Sequence, residues 1–251
     1  MSLGKGRILF DNDFTALITG VTVGASGNVI GGGIGLIGVN EGSIASTIDE
    51  TGGVLAITTD TADNDNHALV AGVFSPRDGT ITVEARFKYS NVDCAIFFGL
   101  AETMAYDTPV MPAEFATATM TYNPGGLIGI QYDVDGTTDD FRAVMGDGSA
   151  AIAGSGNGTR ANADVSADQW FESLVNLFPD GSGEVWFGSA ADKNADNEIN
   201  LKLVKTFNSG TLLTPTDVFH AVLMIENRSG NARVLEVDYM RGWAGRDWRY
   251  N

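Results

Sequence analysis

Apolar and polar residues alternate with a period of two through much of this chain, the pattern of strands that bury one face. The clearest case is residues 81–89, where Ile81, Val83, Ala85, Phe87 and Tyr89 interleave with Thr82, Glu84, Arg86 and Lys88. Near the end, Phe219, Ala221, Leu223 and Ile225 share one face of a segment. In the next segment Leu235, Val237 and Tyr239 share a face, with Glu236 and Asp238 on the other. A polar stretch containing a Gly, residues 227–231, joins the two, so they read as an antiparallel hairpin closing a β-sandwich. Residues 94–100 are continuously apolar, which predicts a central strand covered on both sides.

Shorter runs fill in the rest. Residues 8–14 open the chain as a strand, and 54–59 and 68–74 flank a polar loop, 60–67, that holds His67. Residues 127–134 and 201–207 read as strands, and 170–178 with 184–188 as a hairpin about the turn 179–183. Residues 101–126, with Pro109, Pro112 and Pro124, form an irregular excursion and the default place for a binding surface. Residues 146–164 are small and polar and read as loop. The glycine-rich tract 20–40 is open to three readings: an extended arm, a loop packed over the sandwich, or a subunit contact. About ten short strands with hardly a helix mean an antiparallel all-β protein of two packed sheets. Residues 1–45 form its N-terminal strand and glycine-rich arm or loop, and residues 46–251 the sandwich, as one domain together.

Composition narrows the function classes. Thirteen Phe and four Trp supply a real core, and 32 Gly against six Pro suit many tight turns. A net charge of −17 argues against nucleic acid or an anionic membrane as partner. Residues 14–40 lack charge, but their glycines make a membrane-spanning helix poor. The opening residues show no signal peptide, so a soluble protein made in the cytosol is expected. Cys94 is the single cysteine and sits in an apolar run, which predicts a small buried thiol.

Candidate chemistry is sparse. Gly33, Gly35 and Gly38 form a GxGxxG string, but no helix start follows it. A nucleophilic triad would need His67 or His220, and neither has a nucleophile motif nearby. No cofactor is expected apart from a calcium ion, which oxygens at alternate loop positions would suit. Asp192, Asn194, Asp196 and Glu198 offer such a set, and Asp133, Asp135, Asp139 and Asp140 a second. The two ends are basic on an acidic body. Arg241, Trp243, Arg246, Trp248, Arg249 and Tyr250 interleave the residue types that favour interfaces, and with Lys5 and Arg7 they would make one docking end. The alternative is that the tryptophans cap the sandwich and the arginines pair with acids of the same chain.

Several stretches together carry a resemblance. DFT at 13–15, GVLAIT at 53–58, TVEARFKY at 82–89, AIFFGLAE at 95–102, QWFESLVNLFPDGSGEVWF at 169–187 and LEVDYMRGW at 235–243 resemble the concanavalin A-like lectin/glucanase jelly roll. The resemblance implies an antiparallel two-sheet jelly-roll sandwich with few or no helices, whose last strand pairs near its first. Family glucanases place catalytic acids as E-x-D-x-x-E on one strand. Here Glu236 and Asp238 match its first two members, but Arg241 stands where the third belongs, on the wrong strand. An enzyme is therefore not expected. The GRDW ending at 245–248 and the Gly-rich start also resemble tailed-bacteriophage virion proteins built on this jelly roll. That likeness implies a non-enzymatic capsid-decoration or fibre protein, made in the host cytoplasm and homo-oligomeric, with capsid or other virion proteins as partners. The alternative is a carbohydrate-binding module that docks a glycan on aromatics such as Tyr106, Tyr122 or Tyr132; a glycoside hydrolase ranks last.

Overall fold

The computed structural model describes residues 7–14, 21–22, 28–31, 33–38, 42–47, 53–104, 109–123, 125–147, 156–208 and 217–245. Among them two large antiparallel sheets face each other, and the helical content is one 3-10 turn, Pro76–Asp78. This is the antiparallel two-sheet protein the alternation pointed to, in the jelly-roll arrangement the resemblance implied. In the nine-stranded sheet the order is Lys202–Phe207, Gly183–Ser189, Phe171–Leu177, Ile81–Tyr89, Val234–Gly245, Val54–Thr58, Ser43–Thr47 and Val21–Thr22. Its remaining strand, Arg7–Asn12, shares the long Val234–Gly245 strand with Val54–Thr58, each pairing with a different half. First and last strands thus lie side by side, as the resemblance implied. The eight-stranded sheet runs Thr159–Arg160, Arg142–Gly146, Leu127–Asp133, Cys94–Ala101, Phe219–Asn227, Asn66–Phe74, Ile34–Gly38 and Asn28–Gly31.

Strand periodicity translates directly into packing. Ile81, Val83, Ala85, Phe87 and Tyr89 are all fully buried in the core between the sheets. Cys94–Ala101 is buried along its whole length, between Leu127–Asp133 and Phe219–Asn227, as its unbroken apolar run required. Tyr132, one of the aromatics expected at a surface, is instead buried in this core, stacked 5.5 Å from Tyr89 with its hydroxyl bonded to the Val92 carbonyl. Its place on an inward strand position outweighs its polar tip, which one backbone acceptor satisfies.

The closing hairpin does not form. Phe219–Asn227 lies in the eight-stranded sheet and Val234–Gly245 in the nine-stranded one. Both faces of Phe219–Asn227 are covered, with Leu223 and Ile225 in the main core and Val222 and Met224 in a second apolar cluster on the sheet's outer side. The connection between the strands crosses the end of the sandwich. Among the strand pairs that also cross at this end are Val54–Thr58 to Asn66–Phe74 and Ile81–Tyr89 to Cys94–Ala101. Side chains sew these three crossings together: Asn227 Nδ2 donates to the Asp60 carbonyl, Arg233 Nη2 to Asp93 Oδ2 and Arg228 Nη1 to Asn64 Oδ1.

Two further expectations shift. His67 is not in a loop but fully buried on Asn66–Phe74, and its imidazole is held neutral because burial lowers its pKa to about 4. It fits because Gly38 and Gly42 leave room: a Cβ on Gly42 would stand 2.2 Å from His67 Nε2 and 2.5 Å from the Thr58 carbonyl. The described part of the glycine-rich tract includes the edge strand Asn28–Gly31 and its neighbour Ile34–Gly38, so Gly33, Gly35 and Gly38 open no helix. The excursion 101–126 contains a two-stranded hairpin, Ala113–Ala116 with Thr119–Tyr122. Phe115 and Met120 from that hairpin join Met104, Met111, Phe97 and Met224 in the second cluster. Among the described residues no helix is long and apolar enough to cross a membrane.

Candidate functional site

The second apolar cluster and its hairpin occupy part of the outer side of the eight-stranded sheet, and a groove lies on the outer side of the other. Outward positions of Ile81–Tyr89 supply Glu84, Arg86 and Lys88. Register sets Glu84 beside Leu174 and Arg241, and Arg86 beside Glu172 and Tyr239. Tyr239 reaches this side through a β-bulge. Between Val237 and Tyr239 the ladder slips by one residue, so the inward series continues at Met240 and Ala244. Strict alternation had placed Tyr239 with Leu235 and Val237. The extra residue turns it outward, a use bulges commonly have beside functional sites.

Here a phenol bridges two carboxyl groups. Tyr239 Oη lies 2.7 Å from Glu84 Oε1 and 2.7 Å from Glu172 Oε1. The single phenol proton is shared between the two carboxyl groups. Arg241 clamps both oxygens of Glu84, with Nε 3.1 Å from Oε2 and Nη2 2.8 Å from Oε1, a charge-assisted fork. Burial, with Glu84 as neighbour, pushes the Glu172 carboxyl up from its ordinary value. Burial and the same two carboxyl groups push the Tyr239 phenol up as well, so it stays protonated.

Trp170 closes one end. Arg86 and Lys88 stand over its ring, 5.0 Å and 4.9 Å from the centroid. Both cations are also paired to acids of the final strand, Arg86 with Asp238 at 3.0 Å and Lys88 with Glu236 at 2.5 Å. Glu236 and Asp238 therefore serve as counter-ions on an outward strand face, the ordinary reading of their alternation. The wall opposite is the segment 190–201. It crosses Gly188 so closely that a Cβ there would meet the Asn200 carbonyl at 2.7 Å. Sheet face and wall enclose about 560 Å³, lined by Arg86, Trp170, Glu172, Tyr239, Lys193 and Asn197 among others. That volume is in the range of small-molecule sites, with aromatic surface and convergent polar groups.

The first calcium candidate is part of this wall. Asp192 is ion-paired with Lys202, and Asn194 Oδ1 accepts from the amides of Asp196 and Glu198, 2.9 Å and 3.0 Å away. Asn194 Nδ2 donates to Glu198 Oε2 at 3.2 Å, so the loop's oxygens are turned on its own backbone and neighbours. In the second candidate, Asp133 is fully buried against Arg228 and Asp140 is bound by Arg160 at 2.7 Å, while Asp135 and Asp139 are exposed. Among the described residues no group of three or more His, Cys, Asp or Glu stands as a metal-holding cluster.

The proposed docking end is only partly described. Lys5, Arg246, Trp248, Arg249 and Tyr250, and the glycan candidate Tyr106, lie outside the described residues. Of Arg7 the backbone is described, paired with Gly245, which brings the two ends of the chain together. Arg241 is engaged with Glu84, and Trp243 stands half-buried opposite the exposed Leu9. Tyr122 bonds the Gly156 carbonyl at 2.6 Å, away from the groove. Sequence reasoning missed Trp170, Glu172, Glu84 and Tyr239 as a set, because they come from three segments far apart in the chain. Their signal was polar or aromatic residues at outward positions, legible only once register is known.

No protein-family model matches the chain. No curated protein matches it either. Solved structures do resemble it. Lectin UEA-II in complex with galactose superposes with a TM-score of 0.58 at 11% identity, covering 96% of this chain and 99% of the lectin. Peanut lectin, solved with a nine-residue peptide, gives 0.57 at 10% identity, covering 96% and 99%. The CBM2 module of the evolved Dit protein of Lactobacillus casei BL23 phage J-1 gives 0.54 at 10% identity, covering 99% and 100%. At such identities the likeness is one of fold, a concanavalin A-like sandwich over essentially the whole chain.

Proposed function

We propose that this chain is a non-catalytic carbohydrate-binding β-sandwich whose ligand lies in the groove between Trp170, Tyr239 and the segment 190–201. The observation that carries this reading is the groove itself, an open cleft of about 560 Å³ joining aromatic surface to a carboxyl–phenol–carboxyl bridge. Sugars present apolar C–H faces and rings of hydroxyls, and such a cleft matches both. Glycosidic hydrolysis has less support. A hydrolase needs two carboxyl groups flanking a space for the scissile bond. Here Glu84 is clamped by Arg241, and Glu172 is joined to it through one hydroxyl. The galactose-bound lectin with the same fold adds to the reading.

The test is retention on a glycan array by the intact chain and by Trp170→Ala. The variant should lose about tenfold or more in affinity for any glycan bound, roughly 1.4 kcal/mol, with its thermal midpoint followed in parallel. Equal binding by both proteins would refute the groove as the site.

A second reading rests on the phage Dit module, which aligns over its whole length with this chain. In it the sandwich is a virion component, attached through the end where Arg7 pairs with Gly245. Arg246→Glu together with Arg249→Glu should then reduce incorporation into the parent particle, measured on purified particles, and leave the monomer folded. Unchanged incorporation would remove this reading.

A further inference from the structure

We infer that the ligand of this face is an extended, uncharged polysaccharide, bound along an internal run of several sugar units; the inference rests on the groove reading above. The groove does not end at Glu172. Two residues further along the same strands, Leu174, Trp186 and Leu203 stand in register on three neighbouring strands, with Leu174 opposite Trp186 and Trp186 opposite Leu203. Leu203 is 44% exposed and Trp186 is half-buried, its Nε1 donating to Glu184 Oε2 at 3.2 Å. Leu201 lines the groove, so the edge of the sheet leads from the groove onto this platform without a break. From Trp170 to Leu174 the strand advances about 13 Å, at roughly 3.3 Å per residue. That distance exceeds the length of one pyranose ring more than twofold. A single sugar would use one end and leave the indole and two leucines in water.

Charge decides between neutral and acidic chains. The sheet-face cations are matched by acids, Arg86 by Asp238, Lys88 by Glu236 and Arg241 by Glu84, while Lys193 on the wall donates to Asn197 Oδ1 at 3.1 Å. The whole chain carries −17, which repels polyanions. A uronic-acid, sulfated or phosphorylated glycan would meet that field with the three cations of the sheet face already paired. A neutral chain meets hydroxyl-binding groups in the groove and apolar surface beyond it.

Calorimetric titration of the full chain with linear neutral oligosaccharides of glucose, mannose, galactose and xylose, each from monosaccharide to hexasaccharide, tests this. For the series that binds, affinity should rise about tenfold or more between disaccharide and hexasaccharide. Trp186→Ala and the surface variant Leu203→Lys should erase that gain and leave disaccharide affinity within about twofold. Trp170→Ala should weaken both ligands. Affinity that stops rising at the disaccharide, or Trp186→Ala and Leu203→Lys that leave the hexasaccharide untouched, would overturn the extended site while keeping the groove. Tighter binding of polygalacturonate than of any neutral chain would overturn the uncharged class. A shift from oligomer to monomer on Leu203→Lys, with glycan affinity unchanged at every length, would instead assign the platform to a second copy of this chain. Absence of binding by every saccharide would reject the groove reading and this inference with it.

Discussion

Arg228→Met should cost the folded protein roughly 3–5 kcal/mol near pH 8, the usual loss when one partner of a buried ion pair is removed. The Arg228 side chain is 6% exposed and is surrounded by carboxylates: Glu226 at 2.6 Å, Asp133 at 3.0 Å, Glu114 at 3.1 Å and Asp135 at 3.6 Å. One guanidinium cannot offset so many acids, and burial wins at Glu226, whose pKa is raised to about 7. Asp133 is pushed up by burial too.

The direction of the pH dependence follows. An acid with a raised folded pKa gives its full contribution below its unfolded value, near 4.5 for Glu226, and loses it as pH rises through about 7. In the wild type that loss ends once Glu226 has ionised beside Arg228. Without the guanidinium the folded pKa climbs higher, so the variant goes on losing stability above pH 7 while the wild type levels off. Urea melts at pH 5 and pH 8 should therefore show a larger gap between the two proteins at the higher pH. A gap that is equal at both values, or below about 1 kcal/mol, would mean that Arg228 behaves as a surface residue. Hydrogen exchange should also rise in Ala113–Ala116, because Phe115 N donates to Asp133 Oδ2 and Glu114 is bound by Arg228.

Phe141→Ala should destabilise by a similar amount, about 3–5 kcal/mol, for a different reason. Its ring lies 4.4 Å from Phe187, 5.0 Å from Phe171, 5.3 Å from Tyr132 and 6.1 Å from Phe87, centroid to centroid. Phe87, Phe171 and Phe187 belong to the nine-stranded sheet and Tyr132 to the other, so Phe141 fills the space where the two sheets meet. Its loss removes both apolar transfer energy and contacts that a rigid sandwich cannot close up to replace. In a domain of this size the thermal midpoint should fall by roughly 6–20 °C. A fall of only a degree or two would show that the aromatic cluster repacks and that the sheets are held elsewhere.

The contrast between these residues shows what could be read in advance. Period-two alternation identified Ile81–Tyr89 as a half-buried strand and unbroken apolar character identified Cys94–Ala101 as a central one, because burial acts on each side chain locally. The same pattern could not say that Phe219–Asn227 and Val234–Gly245 lie in opposite sheets. Alternation records that a face is covered, not which neighbour covers it, and a hairpin and a crossing leave the same trace. The same pattern carries no mark of Arg228 and Arg233, whose side chains hold that crossing.

The groove was further from view. Glu84 and Glu172 occupy ordinary outward positions, and a one-residue slip at Val237 turns Tyr239 from the inward face to join them. Composition and periodicity are properties of neighbours along the chain, and they sufficed for the all-β fold class and the buried thiol of Cys94. Register, sheet assignment and the meeting of Trp170, Glu172 and Tyr239 arise from contacts between distant segments, so only the folded molecule could decide them.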